Sequence, residues 1–301
     1  MHKNTKLWIA AIILMILAVL YQRETGPTKP YRGKVSIENQ SFRYKLLRTN
    51  STTSGAVISL PNNKLKDFSA VLQYKRYQTN DSVTEAPMLL QTVQAKSLFG
   101  KDKEKKQFEA SLPVQASAGK MSYFITGKIG GKSFRIPEDK QENIVLRYKD
   151  DVPLWILIPH IIFMFFSVLI GMRAGLSAIF DPKSMKKWAV TAFIGMTIGG
   201  MILGPIVQKY AFGELWTGFP YGKDFTDNKM LIMWLAWAIA LIFLSLKKIK
   251  NENTKRIVVV LAAIVMTVTY LIPHSMGGST LDYTKVDQGI NPKDAIKTGA
   301  E

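Results

Sequence analysis

The chain has 301 residues, a formal net charge of +18, 47% hydrophobic and 21% charged residues, and a mean hydropathy of +0.05. It contains no cysteine, which excludes a disulfide framework, thiolate metal ligation and a cysteine nucleophile. Only three histidines are present, so a three-histidine metal centre would have to recruit His2. Ordinary apolar content combined with so much charge indicates apolar blocks alternating with basic ones.

Residues 7–20 are uncharged and follow Lys3 and Lys6, the pattern of a signal sequence. Ala18-Val19-Leu20-Tyr21-Gln22 is a poor cleavage context, so residues 1–21 are expected to remain as a signal anchor or first transmembrane helix. Residues 22–152 then show period two. Phe108, Ala110 and Leu112 alternate with polar neighbours, as do Met121, Tyr123 and Ile125, and then Ile144, Leu146 and Tyr148. Residues 42–47, 56–60, 70–77 and 133–136 also read as strands, punctuated by Gly, Pro, Asn and Asp. The expected fold is an all-β sandwich of the immunoglobulin or fibronectin kind.

That segment holds 23 basic and 13 acidic residues, a surface drawn to anionic headgroups. Export and the lack of a recognition helix argue against nucleic acid. The run Lys101-Asp102-Lys103-Glu104-Lys105-Lys106 reads as a solvated loop. Gly130-Gly131-Lys132-Ser133 resembles the end of a phosphate-binding loop, but Thr126 stands where the first glycine belongs and a strand follows instead of a helix. Gly130-Gly131 is better read as a two-residue hairpin turn.

Four further apolar runs, residues 154–172, 188–207, 230–246 and 257–272, are long enough to approach or span a ~30 Å hydrocarbon core. Basic residues crowd the connections near 173–187 and 247–256, whereas the 208–229 loop is balanced and the tail 274–301 slightly acidic. Basic loops stay in the cytoplasm. The expected plan is therefore a bacterial cytoplasmic-membrane protein, N-terminus inside. Its β domain (22–152), its 208–229 loop and its C-terminal tail lie outside, and residues 153–273 form a four-helix transmembrane domain.

The tetrapeptide Leu-Ile-Pro-His occurs twice, ending at His160 and at His274. At 1.5 Å rise per residue, His160 lies about 9 Å deep and His274 about 4–5 Å beneath the outer boundary. Ionisable groups at such depth are candidate sites. Interface hydrogen bonding, axial ligation of a b-type haem, a quinone site and a pH-sensitive pair are all compatible with two imidazoles there. The aromatic, glycine-rich 208–229 loop reads as a lid that offers Trp216 and Tyr221. Residues 226–228 suit the N-cap of the following helix, which leaves Asp224 as a ligand or as a hydrogen-bond partner for one histidine. Gly195, Gly199, Gly200 and Gly204 give the third span a face for close packing.

No Ser/His/Asp arrangement, paired carboxylates or His-x-x-x-His is present, so catalysis is not indicated. The expected function is presentation of an exported β domain for a membrane or periplasmic protein partner. A redox subunit with haem b or quinone at His160 and His274 is the alternative.

Overall fold

The computed structural model describes residues 2–62, 65–95, 103–274 and 278–297. The chain divides into two units. One is helical and comprises the N-terminal segment to Pro27 and Val152–Ser279. The other is β-rich and comprises Thr28–Asp151 and Thr280–Lys297.

In the β-rich unit the strands are β1 (Tyr31–Ile37), β2 (Gln40–Leu46), β3 (Thr49–Ser51), β4 (Ala56–Pro61), β5 (Ser69–Arg76) and β6 (Thr84–Pro87). They continue with β7 (Leu89–Ala95), β8 (Lys103–Leu112), β9 (Lys120–Ile129), β10 (Lys132–Ile136) and β11 (Ile144–Lys149). A six-stranded sheet runs β3-β11-β9-β5-β6, with β10 also pairing β9. A three-stranded sheet runs β4-β8-β7, and β1-β2 is a separate hairpin. All pairs are antiparallel except β3 with β11.

Period-two patterning explains the core. Ala56, Ile58 and Leu60 point inward from β4 while Val57 points out. Residues of both sheets, among them Ile58, Leu112, Leu72, Tyr123 and Leu146, join Phe42 of the hairpin in one apolar core. Burying each large side chain contributes roughly 1.5–3 kcal/mol.

Two expectations meet the structure differently. Gly130 (φ +53°) and Gly131 (φ +82°) do form the tight turn between β9 and β10, where Lys132 pairs with Ile129. Lys103–Lys106, expected in a loop, instead open β8 and pair with β7 as far as Ala95. The exposed Glu104, Lys105 and Lys106 satisfy the ladder as well as any polar residue, so charge was a poor guide to conformation there. Lys101 and Asp102 lie outside the described residues.

The C-terminal tail, to which the sequence pattern assigns no secondary structure, is folded over residues 280–297. Thr280–Leu281 (β12) pairs with Ile296–Lys297 (β13), and between them lie Tyr283–Asp287 (α7) and a 3₁₀ turn, Pro292–Ala295. The buried Tyr283 hydroxyl accepts from Lys120 N (3.0 Å) and donates to Lys120 O (3.1 Å), and Leu281 N donates to Ala118 O (3.1 Å). Arg76 ties the segment down. It pairs with Asp81 and with Asp287, each at 2.6 Å, while its guanidinium lies 4.9 Å from the Tyr283 ring centroid.

Arg76 holds the Asp81 carboxyl down to about 2 and lowers that of Asp287. Depressed carboxyl values mean that the stabilisation is complete above their ordinary range and lost as they protonate. Hydrogen-exchange protection of residues 280–297 is therefore expected to fall as pH drops from about 4 towards 2. Asp287→Asn should reproduce part of that loss at neutral pH.

The helical unit contains α1 (Lys3–Thr25), α2 (Leu154–Phe180), α3 (Pro182–Met196), a π segment (Thr197–Leu203), α4 (Gly204–Phe212), α5 (Phe225–Ser245) and α6 (Glu252–Leu271). Among the described residues five helices are long and apolar enough to cross a membrane, with α3, the π segment and α4 counting as one. Small residues let them approach. A Cβ on Gly175 of α2 would lie 2.6 Å from the Ala263 Cβ of α6, and one on Gly195 of α3 would lie 2.5 Å from Ser167 Oγ of α2. The α1 residues Ala11, Met15 and Ala18 belong to the same buried core as Trp237 and Met266.

Candidate functional site

Polar groups collect at the end of the bundle where α1, α4 and α6 finish and α2 and α5 begin. Each is placed by a local feature of its helix. His160 follows Pro159 in α2, and its Nδ1 lies 2.8 Å from Gly199 O in the π segment. The same carbonyl accepts from Gly204 N across the widened turn. Glycine at 199 permits the approach, because a Cβ there would lie 2.7 Å from that of Phe163. A carbonyl can only accept, so Nδ1 carries the proton and Nε2 holds the lone pair.

His274 lies past the end of α6. Its Nδ1 is 3.4 Å from Gln22 Nε2 of α1, which also donates to Tyr270 O at 2.9 Å. The amide donates here, so Nδ1 accepts and Nε2 carries the proton. The charged or titratable groups acting on His274 are Lys229, His160 and Asp224.

Lys229 of α5 is 4% exposed and donates from Nζ to Ile272 O. The last carbonyls of α6 have no intrahelical donor, and they carry the negative end of the helix dipole. Lys229 and Gln22 therefore cap α6 from two other helices. The Tyr270 hydroxyl is buried without a hydrogen-bond partner.

Two carboxylates fold the 213–224 loop. Asp224, rather than residues 226–228, is the N-cap of α5, accepting from Thr226 N at 2.8 Å. Its other oxygen accepts from Ser279 N (3.1 Å) and Ser279 Oγ (3.3 Å). Asp227 Oδ2 accepts from Thr217 N (2.6 Å), Gln208 Nε2 (3.0 Å) and Thr217 Oγ1 (3.2 Å). Asn228 Oδ1 accepts from Phe219 N at 2.7 Å. The loop thus closes on the first turn of α5, and the local sequence favoured a cap two to four residues too late.

Of the five residues singled out from sequence, His160, His274 and Asp224 enter this layer. Trp216 donates from Nε1 to Phe219 O (3.0 Å), an internal loop bond, and Tyr221 is 80% exposed. Lys229, Asp227, Gln208, Gln22 and Tyr270 were missed as members. A lysine or glutamine at the edge of an apolar run resembles an ordinary interface anchor, and only the packing of α6 against α1 and α5 shows which carbonyls they meet. Among the described residues no group of three or more His, Asp or Glu is arranged to hold a metal ion. For haem ligation, His160 offers a lone pair on Nε2, whereas His274 has its lone pair on Nδ1, engaged by Gln22. As they stand, the two imidazoles do not fit a matched axial pair.

No family model, no curated protein and no solved structure matches this chain.

Proposed function

We propose that this chain is a cytoplasmic-membrane protein, N-terminus inside. Its immunoglobulin-like β unit is exported and docks an extended segment of a membrane or periplasmic protein, as a component of a larger membrane assembly. The observation that carries the reading is strand β7. Among the described residues β7 pairs with β8 alone, so its other edge offers free backbone donors and acceptors, and Leu89 and Leu90 stand 60% and 48% exposed. An open edge with apolar side chains is the arrangement by which a sheet accepts a further strand.

Topology supports the placement. Residues 28–151 precede α2, residues 280–297 follow α6, and both belong to one unit. Four crossings between them, an even number, return the chain to the same side of a bilayer. The polar layer supports a non-catalytic role, because Asp224, Asp227, Gln22 and Lys229 spend hydrogen bonds on the protein's own loop and helix ends.

The test is site-directed photocrosslinking in cells from Gln91 and Thr92, with Leu89→Lys and Thr92→Pro as edge-breaking variants. Discrete adducts to another protein, lost in both variants, are expected. The competing redox reading draws on the lone pair of His160. It requires a haem absorption band, or bound quinone, in detergent-purified protein that disappears in His160→Ala. Adducts absent from wild type, together with such a signal, would replace the docking reading.

A further inference from the structure

The opposite end of the bundle holds a charge that the polar layer does not use. Arg173 of α2 is fully buried at 0% exposure, yet among the described residues no carboxylate lies within ion-pair distance of it. Asp181 acts on it only from farther away. Its Nη1 donates to Ser177 Oγ, and its Nη2 donates to Asn4 Oδ1 of α1 at 2.7 Å. The guanidinium sits 5.5 Å from the ring centroids of both Trp8 and Trp188, and these rings meet edge to face at 5.1 Å. Two donors of this cage, Arg173 Nε and Trp188 Nε1, are buried without partners.

A buried cation normally keeps its charge by pairing. Here the ring faces and two neutral oxygens supply partial compensation, and the unmet groups are both N–H donors. The acceptor that completes such a set is an oxyanion. Two nearby features have the same preference. The first turn of α1, which carries Asn4, contains no acidic residue, and its N-cap His2 makes no side-chain capping bond among the described residues, so its positive dipole end favours an anion. Lys187 Nζ lies 5.0 Å from the Trp188 ring centroid and is exposed, as are Lys3 and Lys6. Asn4 is itself exposed, so the contact closing the guanidinium at this end is a neutral amide at the surface. A charged phosphate oxygen is a stronger acceptor than an amide oxygen.

We infer that Arg173, Trp188, Lys187 and the first turn of α1 form a binding site for a phosphate monoanion or dianion, entered by displacement of Asn4 from Arg173. The anion is supplied either by an anionic phospholipid headgroup or by free phosphate. This is independent of the β7 reading, since no partner protein is involved.

The test uses the full-length protein. One arm places it in nanodiscs of phosphatidylcholine, with and without about one third phosphatidylglycerol. The second adds inorganic phosphate to protein in uncharged detergent. Thermal unfolding and retained lipid by native mass spectrometry are the readouts. Wild type is expected to melt higher with the anion and, in the lipid arm, to retain phosphatidylglycerol. The arm that responds identifies the source.

Trp188→Phe keeps an aromatic ring beside Arg173 while removing the orphan N–H together with the pyrrole ring that carries it, and should weaken binding about tenfold. Asn4→Asp supplies a built-in carboxylate to Nη2. It should melt at or above the wild-type temperature without added anion and no longer respond to it. Because Asn4→Asp is expected to be at least as stable as wild type, misfolding cannot imitate its predicted outcome. An unchanged anion response in both variants, or no response in wild type in either arm, overturns the assignment.

Discussion

Asp227→Ala is expected to release the 213–224 loop while leaving the helices in place. One carboxylate oxygen accepts from the backbone of Thr217, the hydroxyl of Thr217 and the amide of Gln208. Thr217 is 1% exposed, so its N–H would be stranded away from water. Leaving the fixed Thr217 N–H unmet costs about 1–3 kcal/mol, and losing the two side-chain bonds adds about 0.5–1.5 kcal/mol each, which puts the expected loss at about 2–6 kcal/mol. Limited proteolysis should cut within the loop of the variant and not in wild type. Asp227→Asn, which retains one accepting oxygen, should fall between them. Because Asp224 independently caps α5 and holds Ser279, the start of α5 should stay protected in both variants.

The second large effect lies in the α2–α6 contact, and there the nearest neighbour is a poor guide to cost. A Cβ on Gly171 would meet Met266 Sδ at 2.5 Å, and one on Gly175 would meet the Ala263 Cβ at 2.6 Å. Met266 is a flexible thioether that can turn aside, at the expense of its contact with Trp237 Nε1 (3.3 Å). Ala263 has no rotamer to change, so only separation of the helix axes relieves the clash. Gly175→Ala is therefore expected to cost more than Gly171→Ala, about 1–3 kcal/mol against less than 1 kcal/mol. Thermal unfolding of the two variants in one detergent checks the order, and equal melting temperatures would refute it.

Period two made the β unit legible because most of its strands bury one face: Ile58, Leu72, Tyr123 and Leu146 each sit where alternation puts them. It failed for β7 and the start of β8, where neither face is buried: Leu89, Leu90, Gln91, Thr92 and Lys105 are all exposed. The apolar runs were visible from composition alone, but their ends were not. The first run extends from 7–20 to Lys3–Thr25, because polar Gln22, Arg23 and Glu24 are as acceptable to a helix end as apolar residues. The two histidines were found by their depth and their repeated tetrapeptide. Their partners were not, since Gly199 O, Tyr270 O and Ile272 O are backbone atoms that no side-chain pattern announces. The folded tail was missed for a related reason. Tyr283 and Asp287 look like scattered polar-surface residues until Arg76 and Lys120, far away in sequence, are brought beside them.

That tail has a consequence for biosynthesis. Its slot beside Lys120 and Arg76 is translated early, whereas Tyr283 emerges only after Val152–Ser279, the whole helical stretch, has been made. Until then the Lys120 amide lacks its hydroxyl partner and Asp81 alone answers Arg76. The β unit therefore stays incomplete until residues 280–297, which follow Val152–Ser279 in the chain, have been made.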